Sequence, residues 1–327
     1  MNTLNSPVAP THRKPSTRLT RAPEATAGKI LAHELIGTSD APVVLALGGI
    51  SATRHVLSSP DDPTPGWWEG LGGAGRALDL RVRRVLGVEF LDGGSDAIGL
   101  SQRTVTTHDQ ARAIVELLDT LHIEQLDTAI GASYGGMVAL ALAERWPERV
   151  KRIVVISAAH DAHPMATALR TVQRAIVELG LRTGETTEAM IIARGLAMTT
   201  YRTAREFSER FPVGGEARHS GSATGFDVER YLRHAGERFA ERMPPARFLA
   251  LSLSADLHLV VPEQVRVPTA LIAAQGDTLV PGSQMRSLAA RLPNLLGLHA
   301  LRSRRGHDAF LTETGRLSRL LTTILDA

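Results

Sequence analysis

The sequence predicts an α/β chain, a mostly parallel sheet flanked by helices with a helical block inserted late. Three observations carry that reading. Short apolar runs alternate with helical stretches between residues 42 and 156. One run ends in a serine framed by glycines and passes straight into a helical stretch. From residue 163 to 245 strand-like runs almost vanish, and they return at Thr269.

Composition bounds the rest. The chain has 327 residues, 43% of them hydrophobic, enough for a large core. It has no cysteine, which excludes disulfides, thiolate metal sites and a cysteine nucleophile. Net charge is only +3, and the basic residues, nearly all arginine, are scattered among acids without a stripe. A nucleic-acid-binding face is therefore not expected. No apolar run reaches the roughly 20 residues needed to span a bilayer, and none of signal-peptide length precedes residue 28. No membrane association is expected, and the cytoplasm is the expected location.

Residues 1–27 mix Pro, Thr, Ser and Arg with little periodicity and read as a mobile arm. The core is expected over 28–162 and 246–327, with the helical block over 163–245. Pro42 to Leu47 reads as a buried strand ending at Gly48-Gly49. Pro60 to Gly75 is a Trp- and Gly-rich surface loop with one short helix. Arg84 to Phe90 is a second strand, and the loop after it runs through Asp92 towards Leu100. Thr107 to Leu121 carries Ala111, Ile114, Val115, Leu118 and Leu121 on one helical face. Asp127 to Ile130 and Arg152 to Ile156 are strands. The block then reads as helices over Met165–Leu179, Thr187–Thr200, Ala204–Arg210 and Asp227–Arg242, with a Gly- and Ser-rich loop at 213–225. Such a block most often lies as a lid over the catalytic edge of the sheet. Thr269–Ala274 and Leu296–Leu301 close the set of strands.

The chemistry centres on Gly131-Ala132-Ser133-Tyr134-Gly135. A G-x-S-x-G turn between strand and helix is a nucleophile elbow, lifting the serine hydroxyl off the sheet at a helix N-terminus. Side chains at Gly131 and Gly135 would clash in so sharp a turn. A serine hydroxyl needs a histidine base, and that histidine needs a carboxylate to hold its tautomer. Asp277, in the turn Gln275-Gly276-Asp277, and His307, behind Gly306, follow in the Ser…Asp…His order of the α/β-hydrolase fold. Each stands just beyond an expected strand end. Asp256 and Asp308 compete as the acid. Backbone amides at Leu47 or Gly48, together with Tyr134, are the expected oxyanion donors. No metal-ligand spacing and no phosphate-binding loop is present, so neither a metal nor a bound cofactor is expected.

Longer segments resemble one family. Ile130 to Met137, Gly306-His307-Asp308-Ala309-Phe310-Leu311, Ala193-Arg194 with Thr200-Tyr201, Phe226 to Leu232 with Gly236 and Phe239, Leu249 to His258, and Asp277 to Pro281 are similar to the homoserine O-acyltransferases of methionine biosynthesis, the O-acetyl- and O-succinyltransferases. The resemblance implies an α/β-hydrolase fold and a homodimer. It implies acyl transfer from acyl-CoA, a co-substrate, to the hydroxyl of L-homoserine through an acyl-serine. It also implies Arg194 and Asp308 as the groups that hold the acceptor amino acid. The chain departs from the family at Leu45-Ala46-Leu47-Gly48-Gly49, where His-Ala-Leu-Thr-Gly is usual, and in the short loop after the second expected strand. It also carries Leu279 where many succinyl-using members place an arginine, two residues after the acid, which tilts the expected donor towards acetyl-CoA. A serine hydrolase of the carboxylesterase type, with water as acceptor, would use the same triad. A non-catalytic module on this fold is disfavoured by the intact triad.

Overall fold

The computed structural model describes residues 31–92, 104–211 and 226–326. The expected arm at 1–27, the loop at 93–100 and the loop at 213–225 lie outside those residues.

Seven strands form one sheet in the order β1-β3-β2-β4-β5-β6-β7. They are β1 His33–Ile36, β2 Val43–Leu47, β3 Arg84–Val88, β4 Leu126–Ala132, β5 Val150–Ile156, β6 Thr269–Ala274 and β7 Leu295–Leu301. All neighbours pair in parallel except β1, which runs antiparallel to β3 with His33 opposite Val88. β1 is absent from the expected set because His-Glu-Leu-Ile is short and only half-buried along its whole length. Edge pairing, rather than an apolar run, makes it a strand.

Period-2 alternation sorts the central strands between two cores. Val43, Leu45, Leu47, Ile153, Val155 and Leu271 face one, packed under α1 (Thr107–Thr120) and α2 (Tyr134–Arg145). Val44, Ala46, Val154, Ile156, Ala270 and Ile272 face the other, against Trp68, Leu71, Leu317 and Leu321. With both faces covered, β2 is buried at every position, so it reads as a continuous apolar run. α1 starts at a capping box. Thr106 Oγ1 accepts from the Asp109 amide, and the Asp109 carboxylate accepts from the Thr106 amide.

Between β5 and β6 stand helices α3 Pro164–Thr183, α4 Thr186–Tyr201, α5 Ala204–Arg210, α6 Asp227–Ala240 and α7 Pro245–Asp256. α4 packs against both α3 and α6. Val177, Met190, Ala193, Phe239, Met243 and Phe248 form a small core within this block. The chain then continues through β6, helix α8 (Gly282–Arg291), β7 and a final helix α9 (Thr314–Leu325). Among the described residues no helix is long and apolar enough to cross a membrane.

Candidate active site

β4 ends at Ala132 and α2 begins at Tyr134, so the reversal falls on Ser133 alone, held at φ 54° and ψ −122°. A positive φ is costly for a non-glycine residue and persists only where packing enforces it. The enforcement is visible. The Ser133 amide donates to the Ile156 carbonyl at 2.8 Å, and the Gly135 amide donates to the Gly48 carbonyl at 2.8 Å. A Cβ at Gly131 would lie 2.2 Å from the Gly135 carbonyl oxygen, and one at Gly135 would lie 2.4 Å from that of Leu47. Both glycines are required by close backbone approach, as the motif predicts.

The three strand ends converge as expected. Ser133 Oγ donates to His307 Nε2 at 2.8 Å, and His307 Nδ1 donates to Asp277 Oδ2 at 2.8 Å. The other Asp277 oxygen accepts the amides of Leu279 at 2.9 Å and Val280 at 3.0 Å, so the carboxylate is fixed at both ends. Burial alone would lower the His307 pKa. The Asp277 carboxylate, helped by Asp308, outweighs it and raises the pKa above its ordinary value. The arrangement is one in which an imidazole, its tautomer set by a buried acid, can accept the proton of the serine hydroxyl.

The rival acids lie elsewhere. Asp256, at the end of α7, binds Arg170 Nε at 2.7 Å, Arg174 Nη1 at 2.6 Å and Thr167 Oγ1 at 2.8 Å. Asp308 follows His307 directly and is buried at the cavity wall. It precedes the short helix Ala309–Thr312 but makes no capping bond there. Burial raises its pKa, against the pull of Arg202, His307 and Arg194.

The cavity above Ser133 is lined from the core by Gly49, Ile50, Tyr134, Leu279 and Asp308, and from the helical block by Arg170, Arg194 and Tyr201. Of the expected oxyanion donors, Tyr134 stands first in α2 and lines the cavity. Leu47 is buried, and the wall on that side is made by Gly49 and Ile50 rather than by Leu47 or Gly48. Arg194 sits between two rings, its Cζ 5.1 Å from the Tyr201 centroid and 4.8 Å from that of Phe239. Its Nε is buried without a hydrogen-bond partner, and it makes no ion pair among the described residues.

Two arginines, one at the cavity and one behind Asp308, escaped the sequence reading. Arg170 lines the cavity from α3, and Arg202, just after α4, reaches Asp308 Oδ2 with Nη2 at 3.1 Å. A polar stripe at Arg170, Gln173 and Arg174, spaced i, i+3, i+4 on α3, was the available signal for the first. Nothing local distinguishes Arg202. Away from the nucleophile, Glu34, His55 and Asp62 come together among the described residues as a possible metal-ligand group. Both His55 nitrogens are already used there, Nδ1 with Glu34 at 2.9 Å and Nε2 with the Thr64 carbonyl at 2.8 Å.

Comparison with known proteins places this geometry among relatives. A family model described as the alpha/beta hydrolase fold matches residues 42–314. The chain is 44% identical over 297 residues to a homoserine O-succinyltransferase of Xanthomonas campestris pv. campestris, covering 90% of this chain and 78% of that protein. It is 33% identical to an L-serine/homoserine O-acetyltransferase of Streptomyces lavendulae, over 88% of this chain and 89% of that one. The crystal structure of homoserine O-acetyltransferase from Bacillus anthracis superposes with a TM-score of 0.82 at 17% identity, covering 91% of this chain and 92% of the other.

Proposed function

The chain belongs to the α/β-hydrolase family and, within it, to the homoserine O-acyltransferases, and we propose that it moves an acyl group from acyl-CoA to the hydroxyl of L-homoserine through an acyl-Ser133 intermediate. The observation that carries this reading is Arg194, a guanidinium at the cavity wall that makes no ion pair among the described residues. A hydrolase of neutral esters has no use for such a group, whereas an amino-acid carboxylate fits it in bidentate fashion.

In the first half-reaction His307 Nε2 takes the Ser133 proton as Oγ attacks the thioester carbonyl. The Tyr134 amide, at the N-terminus of α2 and joined by an amide of the turn after β2, holds the developing oxyanion. Collapse breaks the C–S bond, and His307 returns its proton to the departing CoA thiolate. In the second half-reaction Arg194 holds the carboxylate of homoserine and Asp308 its ammonium group. His307 then removes the proton from the homoserine hydroxyl, which attacks the acyl-serine. As the acyl–Oγ bond breaks, His307 returns that proton to Ser133 Oγ, and the O-acyl amino acid leaves. The helical block, which brings Arg170, Arg194 and Tyr201 over the nucleophile, serves as the lid.

The acetyl-CoA preference drawn from Leu279 is not supported, since the 44%-identical relative is named a succinyltransferase. Leu279 does line the cavity without offering charge, but Arg170 enters the same cavity from α3. Its partner Asp256 is shared with Arg174, so the trio carries a net positive charge, with Arg170 at the cavity wall. A succinyl carboxylate suits that charge, and succinyl-CoA is the donor we favour. The chain is further proposed to act as a homodimer. An exposed apolar stripe on α3 supports this, with Met165, Val172 and Leu179 each at least half-exposed at seven-residue spacing.

The deciding experiment follows thiol release from succinyl-CoA and acetyl-CoA with homoserine, serine or neither present. Homoserine-dependent release from succinyl-CoA is expected, and Arg170→Met should weaken succinyl-CoA far more than acetyl-CoA. Release that needs no acceptor, with no acylated homoserine formed, overturns the transferase in favour of the hydrolase. Arg194→Ala tests the carboxylate site. Losing one partner of a charged pair in a desolvated pocket costs about 2–5 kcal/mol. That lowers kcat/KM for homoserine by roughly 30- to several-thousand-fold. Hydrolysis of p-nitrophenyl acetate should fall much less; equal damage to both would make Arg194 structural.

A further inference from the structure

The junction between α4 and α5 is stapled to both catalytic loops. Thr278 Oγ1, next to the catalytic acid, donates to the Thr200 carbonyl at 3.0 Å, and Thr203 Oγ1 donates to the Arg304 carbonyl at 2.5 Å. Between these ties lies Arg202, its side chain 13% exposed. Its guanidinium bridges two buried carboxylates, with Nη2 3.1 Å from Asp308 Oδ2 and Nη1 3.5 Å from Glu206 Oε1. Glu206, 8% exposed, pairs in turn with Arg305, two residues before His307. Arg202 Nε and Nη1 make no hydrogen bond, so the guanidinium spends its charge chiefly on these two ion pairs.

The pair with Asp308 uses one carboxylate oxygen. Asp308 Oδ1 makes no hydrogen bond or ion pair among the described residues, and the residue lines the cavity over Ser133. We propose that Arg202 is a positioning residue of the acceptor half-reaction: it holds the Asp308 carboxylate ionised, with Oδ2 fixed and Oδ1 turned to the acceptor's ammonium group. This rests on the reading of Asp308 as the ammonium site.

The electrostatics give the physical reason. A carboxyl group so deeply buried favours its neutral form, and a neutral carboxyl group does not bind an ammonium ion well. The charges that face Asp308 are Arg202 after α4, Arg194 within α4, His307 beside it and Glu206 on α5. Burial pushes the Asp308 pKa up, Arg202 is the strongest charge opposing it, and Glu206 adds to the upward push. Removing Arg202 therefore leaves burial and Glu206 unopposed except by Arg194 and His307, and Asp308 takes up its proton at higher pH.

The test measures the pH dependence of kcat/KM for L-homoserine, using the donor that acylates Ser133, in the wild type, Arg202→Met and Arg202→Lys. Acceptor binding requires ionised Asp308, so it is lost as pH falls through that pKa. In Arg202→Met this acid limb should move up by about one unit or more, raising KM roughly tenfold on the acid side for each unit. Arg202→Lys, which keeps a cation, should restore most of it. The single-turnover burst of thiol that acylates Ser133 without acceptor carries the His307 limb alone and should change far less, which separates the two titrations. An acid limb that stays put in Arg202→Met overturns the proposal, as does equal loss in both half-reactions. Should Arg202→Met fail to fold, Arg202→Gln is judged by the same criterion. Asp308→Asn separates the layers. If it leaves the homoserine KM unchanged, the ammonium site itself is wrong; if it raises KM while the Arg202 limb stays put, only the role of Arg202 falls.

Discussion

Asp277 and Asp256 both carry buried carboxylate side chains with short contacts, yet their partners assign them different work. Asp277 accepts from His307 Nδ1 and from two backbone amides, whereas Asp256 accepts from two arginines and a threonine. Asp277→Asn should fold normally but present an amide that favours the wrong imidazole tautomer. A loss of about 10⁴ in kcat is expected, on the scale known for this substitution in serine proteases. Asp256→Asn should spare the nucleophile, and if it proves the crippled variant then the acid has been misassigned. His307 yields a second expectation. The imidazole must be neutral to take the Ser133 proton, so activity is present above its pKa and lost as pH falls through it. Burial lowers that pKa, but Asp277 and Asp308 more than reverse it, so the acid limb of thiol release should lie above 6.5. A limb well below that value would mean that burial prevails.

The elbow is the element on which the site depends. It holds Ser133 in a strained conformation because α2 cannot move away from the ends of β2 and β4. The Gly135 amide is tied to Gly48, and a Cβ at Gly135 would strike the Leu47 backbone. Gly135→Ala must therefore push α2 off the sheet, at a cost of about 1–3 kcal/mol typical of overpacking, and displace Ser133 from His307. Gly315 in α9 offers the control, since nothing lies within 4 Å of its added Cβ. Gly315→Ala should be neutral or stabilising by up to about 1 kcal/mol, as helix propensity dictates. Urea denaturation midpoints, paired with thiol-release rates, check both. A Gly135→Ala protein of normal stability and rate would show that the turn has slack the packing does not suggest.

At the scale of the whole molecule, the helical block turns one face to the nucleophile and leaves an apolar stripe outward. Met165, Val172 and Leu179 repeat every seven residues along α3, so they share one helical face. Covering that face with the same face of a second copy would remove it from water. Wild-type protein should sediment at twice the monomer mass, and Met165→Lys/Val172→Lys/Leu179→Lys should sediment as a monomer. A monomeric wild type, or a dimer indifferent to the triple substitution, would show that α3 is not the interface.

The sequence by itself determined the parallel strands of the sheet, the elbow and the order of Ser133, Asp277 and His307. Each is written in local, contiguous code. A strand buried on both faces must be apolar at every position, as β2 is, and a turn with no room for side chains must carry glycine at 131 and 135. The order of Ser133, Asp277 and His307 follows from strands that each deliver one loop to the same edge. The tertiary structure alone decided which charged groups share the cavity. Arg170, Arg194 and Asp308 line it from α3, α4 and the turn after β7, while Arg202, just after α4, meets Asp308 in an ion pair, and no spacing in the chain records these meetings. It also decided that β1 is a strand, since a half-buried His-Glu-Leu-Ile becomes one only by pairing with β3. Periodicity encodes which face a residue presents to the core. An ion pair between distant segments depends on where the faces end up, and that is fixed only when the helices have packed.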